Sequence, residues 1–144
     1  MANLPDKLPP QNLEAEKSVL GSILIDKNSI EKVIDVLRPD DFYNRKNQLI
    51  YRVMAGLLEK NEPIDILTVS NKLEENNELE NAGGASYLAS LLSATPTSAH
   101  ILNYAKIVRR KKVLRDLIDS AHKIMALGHQ EDESIEKILD QAEQ

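Results

Sequence analysis

No cysteine and no tryptophan occur in the 144 residues. The first absence excludes disulfides and thiolate metal sites. Aromatic residues are scarce, one Phe and four Tyr, so the core must be aliphatic. No apolar run approaches the roughly 18 residues of a membrane span. The opening MANLPDKLPPQN lacks the apolar segment of a signal peptide. Together these absences predict a soluble, cytoplasmic protein that does not engage a membrane. A charge imbalance is also missing from most of the chain. Residues 130–144 hold six acids and one base, which accounts for the whole formal −5, and the first 129 residues balance at 17 against 17. The body is therefore not a globally basic nucleic-acid binder. With 144 residues, one domain or one domain plus an appendage is the expectation.

What is present is helical periodicity. Residues 98–128 contain no proline, and no glycine before Gly128. Ile107, Leu114, Ile118, Ala121 and Met125 share one helix face, and Val113, Leu117 and Ile124 form a second stripe beside it. Thr97 or Ser98 can cap the start and Gly128 the end. Thirty helical residues make a rod of about 45 Å, too long to bury both ends against one small core. Part of it is expected to project and to need a partner.

The prolines mark breaks elsewhere. Pro5, Pro9 and Pro10 make residues 1–12 an extended arm. Asn12 can cap a helix over 13–26, with Glu14 and Glu16 in its first turn and Val19, Leu20, Ile23 and Leu24 inward. Gly21, inside that helix, implies close approach of another helix. Asn28 and Glu31 suggest a capping box for a second helix over 29–37, stopped by Pro39. The following Asp40-Asp41-Phe42-Tyr43 reads as a loop anchored on the core by its aromatics. Helices are predicted over 45–60, over 66–76 with Asp65 as cap, and over 85–94 after the Gly83-Gly84 turn. Strand is the alternative at 66–73, where β-branched residues cluster, but Ile66, Val69 and Leu73 keep helical spacing. The fold class is therefore all-α: a five-helix head over 13–97, then a hairpin over 98–144. Its second helix begins after Ser134, with Ile135, Ile138, Leu139 and Ala142 inward, and is still running at Gln144. That helix reads as cut short, and the chain as a piece of a longer protein.

No catalytic constellation is visible. Gly83-Gly84 is followed by no Gly-Lys-Ser/Thr, so it is a turn and not a phosphate loop. His100, His122 and His129 lack metal-ligand spacing. Asp40-Asp41 is a paired carboxylate in a turn, where Asp serves local hydrogen bonding. The expectation is no enzyme activity, cofactor or metal in this chain. The most unusual local feature is Lys106, Arg109, Arg110, Lys111, Lys112 and Arg115, six bases within ten residues. A solvated helix is the plain reading. A phosphate contact or docking on an acidic partner are the functional ones.

The stretches LPPQNLEAEKSVLGSIL (8–24), DDFY (40–43), EPIDILTV (62–69), GGASYLASL (83–91) and NYAKIVRRKKVLRDLI (103–118) follow one another in an order and spacing that resemble the N-terminal domain of the bacterial replicative DNA helicase, the DnaB family. The resemblance covers nearly the whole chain. It implies a helical head plus hairpin, pairing into dimers, and a collar of three dimers on a hexameric ring. It also implies docking of the primase C-terminal domain and a helicase loader as a further partner, at the replisome on the nucleoid. The family's ATP- and Mg-dependent motor, with its 5'-3' unwinding and main DNA contacts, has no counterpart motif here. Were the chain complete, it would be a free-standing adaptor or a nucleic-acid-binding regulator using the basic helix.

No motif identifies the primase contacts, so physical reasoning has to narrow them. A docking patch needs anchors that the core does not use. Tyr87 opens a short helix, offset from Leu88, Leu91 and Leu92. Ile118, Met125 and Leu127 cannot all pack on a single following helix, and Met suits an adaptable surface. The basic residues from Lys106 to Arg115 would supply steering.

Overall fold

The computed structural model describes residues 8–131 and 133–144, and among them every regular element is helical. Residues 1–7 of the expected arm lie outside the described residues, and 8–12 are non-helical. The chain divides into two compact units, Met1–Lys112 and Val113–Gln144.

In the first unit, α1 (Leu13–Ile25) starts where Asn12 accepts a hydrogen bond from the Ala15 amide at 2.9 Å. Val19, Leu20 and Ile23 are fully buried, and Leu24 packs partly against them. Gly21 has a packing reason: a Cβ there would collide with the Thr95 hydroxyl and the Leu91 carbonyl oxygen. These lie at the end of α4 (Gly84–Ala94), which packs along α1.

The segment expected as a helix over 29–37 is different. It is a 3-10 helix over Lys27–Lys32, capped by Asp26 rather than Asn28, followed by turns up to Val36. Ser29 explains the tightening. Its hydroxyl lies 2.7 Å from the Asp26 carbonyl oxygen and 3.1 Å from that of Ser22, tying the segment to the end of α1. Ile30, Val33 and Leu37 still reach the core, because the turns that follow keep i,i+4 bonds, Ile34 N–H to the Ile30 carbonyl and Leu37 N–H to that of Val33, and so hold a helical spacing. A short 3-10 turn, Pro39–Asp41, then delivers Phe42 into the core, where its ring sits 5.0 Å from that of Tyr51.

α2 (Arg45–Glu59) carries Leu49, Ile50, Val53, Met54 and Leu57 inward and is capped by Asn44. Asn61, at φ 55°, ends it in the left-handed region that Asn tolerates. α3 (Ile66–Glu75) is a helix, opened by a reciprocal box in which Asp65 caps the Thr68 amide and Thr68 caps that of Asp65. Gly83, at φ 95°, makes the turn into α4.

α5 (Ile101–Gly128) is the long helix. Its buried residues are Ile101, Ala105 and Val108, so its first turns complete the head's core. The expected division after residue 97 therefore does not match the packing, and the first compact unit runs on to Lys112. The expected face through Ile107 is also displaced, since Ile107 is more than one-third exposed.

The second unit holds the rest of α5 and α6 (Ile135–Glu143), which Ser134 caps by accepting from the Lys137 amide at 3.2 Å. No residue of α6 is buried.

Candidate docking surfaces

The candidate anchor Tyr87 is built into the head. Beneath it lies Glu16, 1% exposed, whose carboxylate accepts from the Tyr43 amide at 2.7 Å, the Asn44 amide at 3.3 Å and Asn47 Nδ2 at 2.9 Å. All three donors sit at the N-terminus of α2, the positive end of a helix, where a carboxylate is favoured. Asn47 Oδ1 in turn accepts from the Tyr87 hydroxyl at 2.5 Å. The Tyr87 ring packs on Gly83 and carries Lys46 Nζ at 5.2 Å from its centroid. Burial raises the Tyr87 pKa above its ordinary value, and the Glu16 carboxylate raises it further. The hydroxyl is thus committed inside the head, and the residue as a whole is partly buried.

In the DDFY loop Asp40 is exposed, whereas Asp41 is spent internally. Asp41, with its side chain 4% exposed, accepts from Arg109 Nη1 at 2.7 Å and from the Arg38 amide at 2.9 Å. Arg109 is therefore a tie between this loop and α5, and a structural part of the basic run. Lys106 and Arg110 are exposed one turn apart, and Lys111, Lys112 and Arg115 are partly exposed. Next to Asp41, the Tyr51 hydroxyl donates to the Leu37 carbonyl at 3.0 Å. Its pKa is pushed far up, first by burial and then by Asp41 and Asp35.

In the second unit, Ile118 is 42% and Met125 58% exposed, whereas Leu127 is partly buried. The stripe Val113, Leu117 and Ile124 is exposed beside them. On α6, Ile135 is 70% and Leu139 57% exposed. Among the described residues no cluster of His, Cys, Asp or Glu could hold a metal, and no helix is long and apolar enough to cross a membrane.

Sequence reasoning missed the roles of Glu16 and Asn47; for Asp41 it gave the local hydrogen bond, made with the Arg38 amide, and missed the long-range tie to Arg109. A signal existed for the first: Glu16 stands four residues before Leu20 and seven before Ile23, on the buried stripe of its helix.

Comparison with known proteins agrees with this architecture. The family model of the DnaB-like helicase N-terminal domain matches residues 8–110, nearly the span of the first compact unit. A replicative DNA helicase, DnaC, of Bacillus subtilis is 43% identical over 140 residues, covering 97% of this chain but 31% of the relative. The chain thus spans under a third of that protein's length. The crystal structure of the N-terminal domain of DnaB helicase from Mycobacterium tuberculosis superimposes with a TM-score of 0.90 at 38% identity, covering 94% of this chain and 96% of that one. The N-terminal domain of DnaB helicase from Helicobacter pylori, described together with its interactions with primase, gives a TM-score of 0.70 at 27% identity, over 80% of this chain and 89% of that one. On the family match, the shared fold and the sequence motifs together, the chain belongs to the family of DnaB-like helicase N-terminal domains.

Proposed function

We propose that this chain is the assembly and docking module of a replicative DNA helicase. It pairs with further copies of itself, three dimers making the collar of a hexamer, and receives the C-terminal domain of primase. The observation that carries this reading is the uncovered apolar surface of the second unit: Leu117, Ile118, Ile124 and Met125 on α5, and Ile135 and Leu139 on α6. Exposed large apolar side chains in such number on a charged helical unit mark a protein interface. ATP-dependent 5'-3' unwinding, the ATP and Mg it uses, and the main DNA contacts belong in this reading to the remainder of a longer polypeptide. The relative from Bacillus subtilis has that extra length, and this chain has no phosphate loop. The protein itself performs no catalysis in this reading. It works in the cytoplasm, at the replisome, where a helicase loader is a further partner.

Two measurements test the reading. Sedimentation of the chain over a range of concentrations should show reversible self-association. Titration with the primase C-terminal domain should show saturable binding without DNA or ATP. A strictly monomeric chain that ignores primase would defeat it.

A further inference from the structure

The tie between Asp41 and Arg109 brings together two basic stretches that are far apart in the sequence. One is the loop and first turns of α2, residues 38–52, with Arg38, Arg45, Lys46 and Arg52 against Asp40 and Asp41. The other is residues 106–112 of α5, with five bases and no acid. Together they hold nine of the chain's 18 Lys and Arg, so the even balance of the first 129 residues conceals a local excess. Arg109 and Arg52 engage the two carboxylates, the second at 3.6 Å in an exposed pair. Glu16, behind the loop, is 1% exposed and already holds three donors. Arg45 donates at 3.1 Å to Gln48, a neutral group that leaves its charge in place. Lys106 and Arg110 are exposed and four residues apart, neighbours on the flank of α5 that carries Arg109. Between the two stretches the loop turns Phe42 inward and leaves Tyr43 38% exposed.

We propose that this patch binds single-stranded nucleic acid, with phosphates on the cations of α5 and of the loop and a base stacked on Tyr43. Arginine predominates on the loop side, and its planar guanidinium matches phosphate oxygens with two parallel bonds. Cations that follow a backbone beside an exposed aromatic ring are the two parts of a single-strand platform. An acidic protein is the rival partner, but it offers no base to Tyr43. All the residues concerned lie in the first unit, and the inference needs neither self-association nor primase.

The test follows the anisotropy of a labelled oligothymidine titrated with the whole chain at several salt concentrations, with a thermal melt of each variant. Binding should be saturable at low salt, and log affinity should fall against log salt with a slope of about −2 to −3, the value for three or four phosphates. Lys106→Glu combined with Arg110→Glu should weaken binding about tenfold or more. Arg45→Glu, on the loop side, should weaken it about threefold or more and flatten the salt slope. Tyr43→Leu should cost about fivefold or more through lost stacking. Lys60→Glu makes the same charge change about 20 Å away at the far end of α2 and should leave affinity unchanged. Should Tyr43→Leu disturb packing, Arg45→Glu decides, because an acid in the first turn of α2 suits the helix dipole and keeps the fold. Wild-type affinity in Arg45→Glu, or in a folded Tyr43→Leu, would reduce the patch to a plain basic helix and overturn the proposal. An equal loss in Lys60→Glu would show a net-charge effect and overturn it too. Displacement by polyglutamate as effective as by unlabelled oligothymidine would assign the surface to acidic proteins instead. Absence of wild-type binding at low salt would overturn the proposal outright.

Discussion

Glu16 joins three stretches of chain through one carboxylate: the α1 stripe that carries it, the two backbone amides entering α2, and Asn47, which passes the link to Tyr87. Glu16→Ala strips partners from three donors beneath a closed surface. We expect it to cost about 3 kcal/mol, read as a lower urea midpoint at unchanged slope. Tyr87→Phe removes only the outermost bond and should cost about 1 kcal/mol. It isolates the hydroxyl's share of the head's stability, because Tyr87→Ala would also strip packing from Gly83 and Lys46. Tyr51 and Tyr87 share a pH consequence. Both phenol pKa values are raised in the folded state, so folding holds protons that the unfolded chain would release. The contribution is complete below about pH 10, the ordinary tyrosine value, and is lost as pH rises beyond it. Urea midpoints measured above pH 10 should fall less steeply for Tyr51→Phe than for the wild type. An equal slope in both would remove Tyr51 as a cause.

At the scale of elements, hydrogen-bonding side chains decide where the helical pattern is obeyed. Asn12, Asp65 and the Gly83-Gly84 turn were legible because their roles are local, one or a few residues from the helix they start. Ser29 was not, because its hydroxyl reaches back seven residues to the Ser22 carbonyl and converts an α-helical pattern into a 3-10 one. The same applies to α5. Periodicity located the rod but chose a face through Ile107, whereas packing in the head selects Ile101, Ala105 and Val108. Arg109 then fastens α5 to Asp41, 68 positions earlier, a pairing that no local pattern announces. Of the docking candidates, exposed Ile118 and Met125 were readable from a stripe with no partner, while the Tyr87 hydroxyl depended on Asn47, 40 positions away. Arg109→Ala leaves Asp41 nearly buried without its guanidinium partner. Arg109 itself is 47% exposed, so solvent screens part of the interaction and the expected loss is about 1–2 kcal/mol. Amide exchange should quicken over the first turns of α5 and over residues 38–42. Gly21→Ala should be costlier, about 1–3 kcal/mol, because its Cβ has to displace the α4 end.

For the whole molecule the question is what covers the second unit. Seven large apolar side chains of α5 and α6 there are more than one-third exposed: Val113, Leu117, Ile118, Ile124, Met125, Ile135 and Leu139. Fully burying one such side chain contributes roughly 1.5–3 kcal/mol, and these are already partly covered. Association costs about 4–15 kcal/mol before any contact counts. Gain and cost are of the same order, so self-association of this chain should be weak, at micromolar concentrations or above. Charge also works against close pairing, since the acids of the chain's formal −5 cluster at residues 131–143 around α6. Added salt should therefore strengthen association by screening like charges, the opposite of its effect on a contact made by the basic run. Replacing Ile118 and Met125 together by Glu should abolish self-association. The head should keep its own melting transition, because neither residue belongs to its buried core. Sedimentation equilibrium at two salt concentrations reads both effects. Association that weakens with salt and survives the double substitution would move the self-contact to the basic face around Lys106 and Arg110.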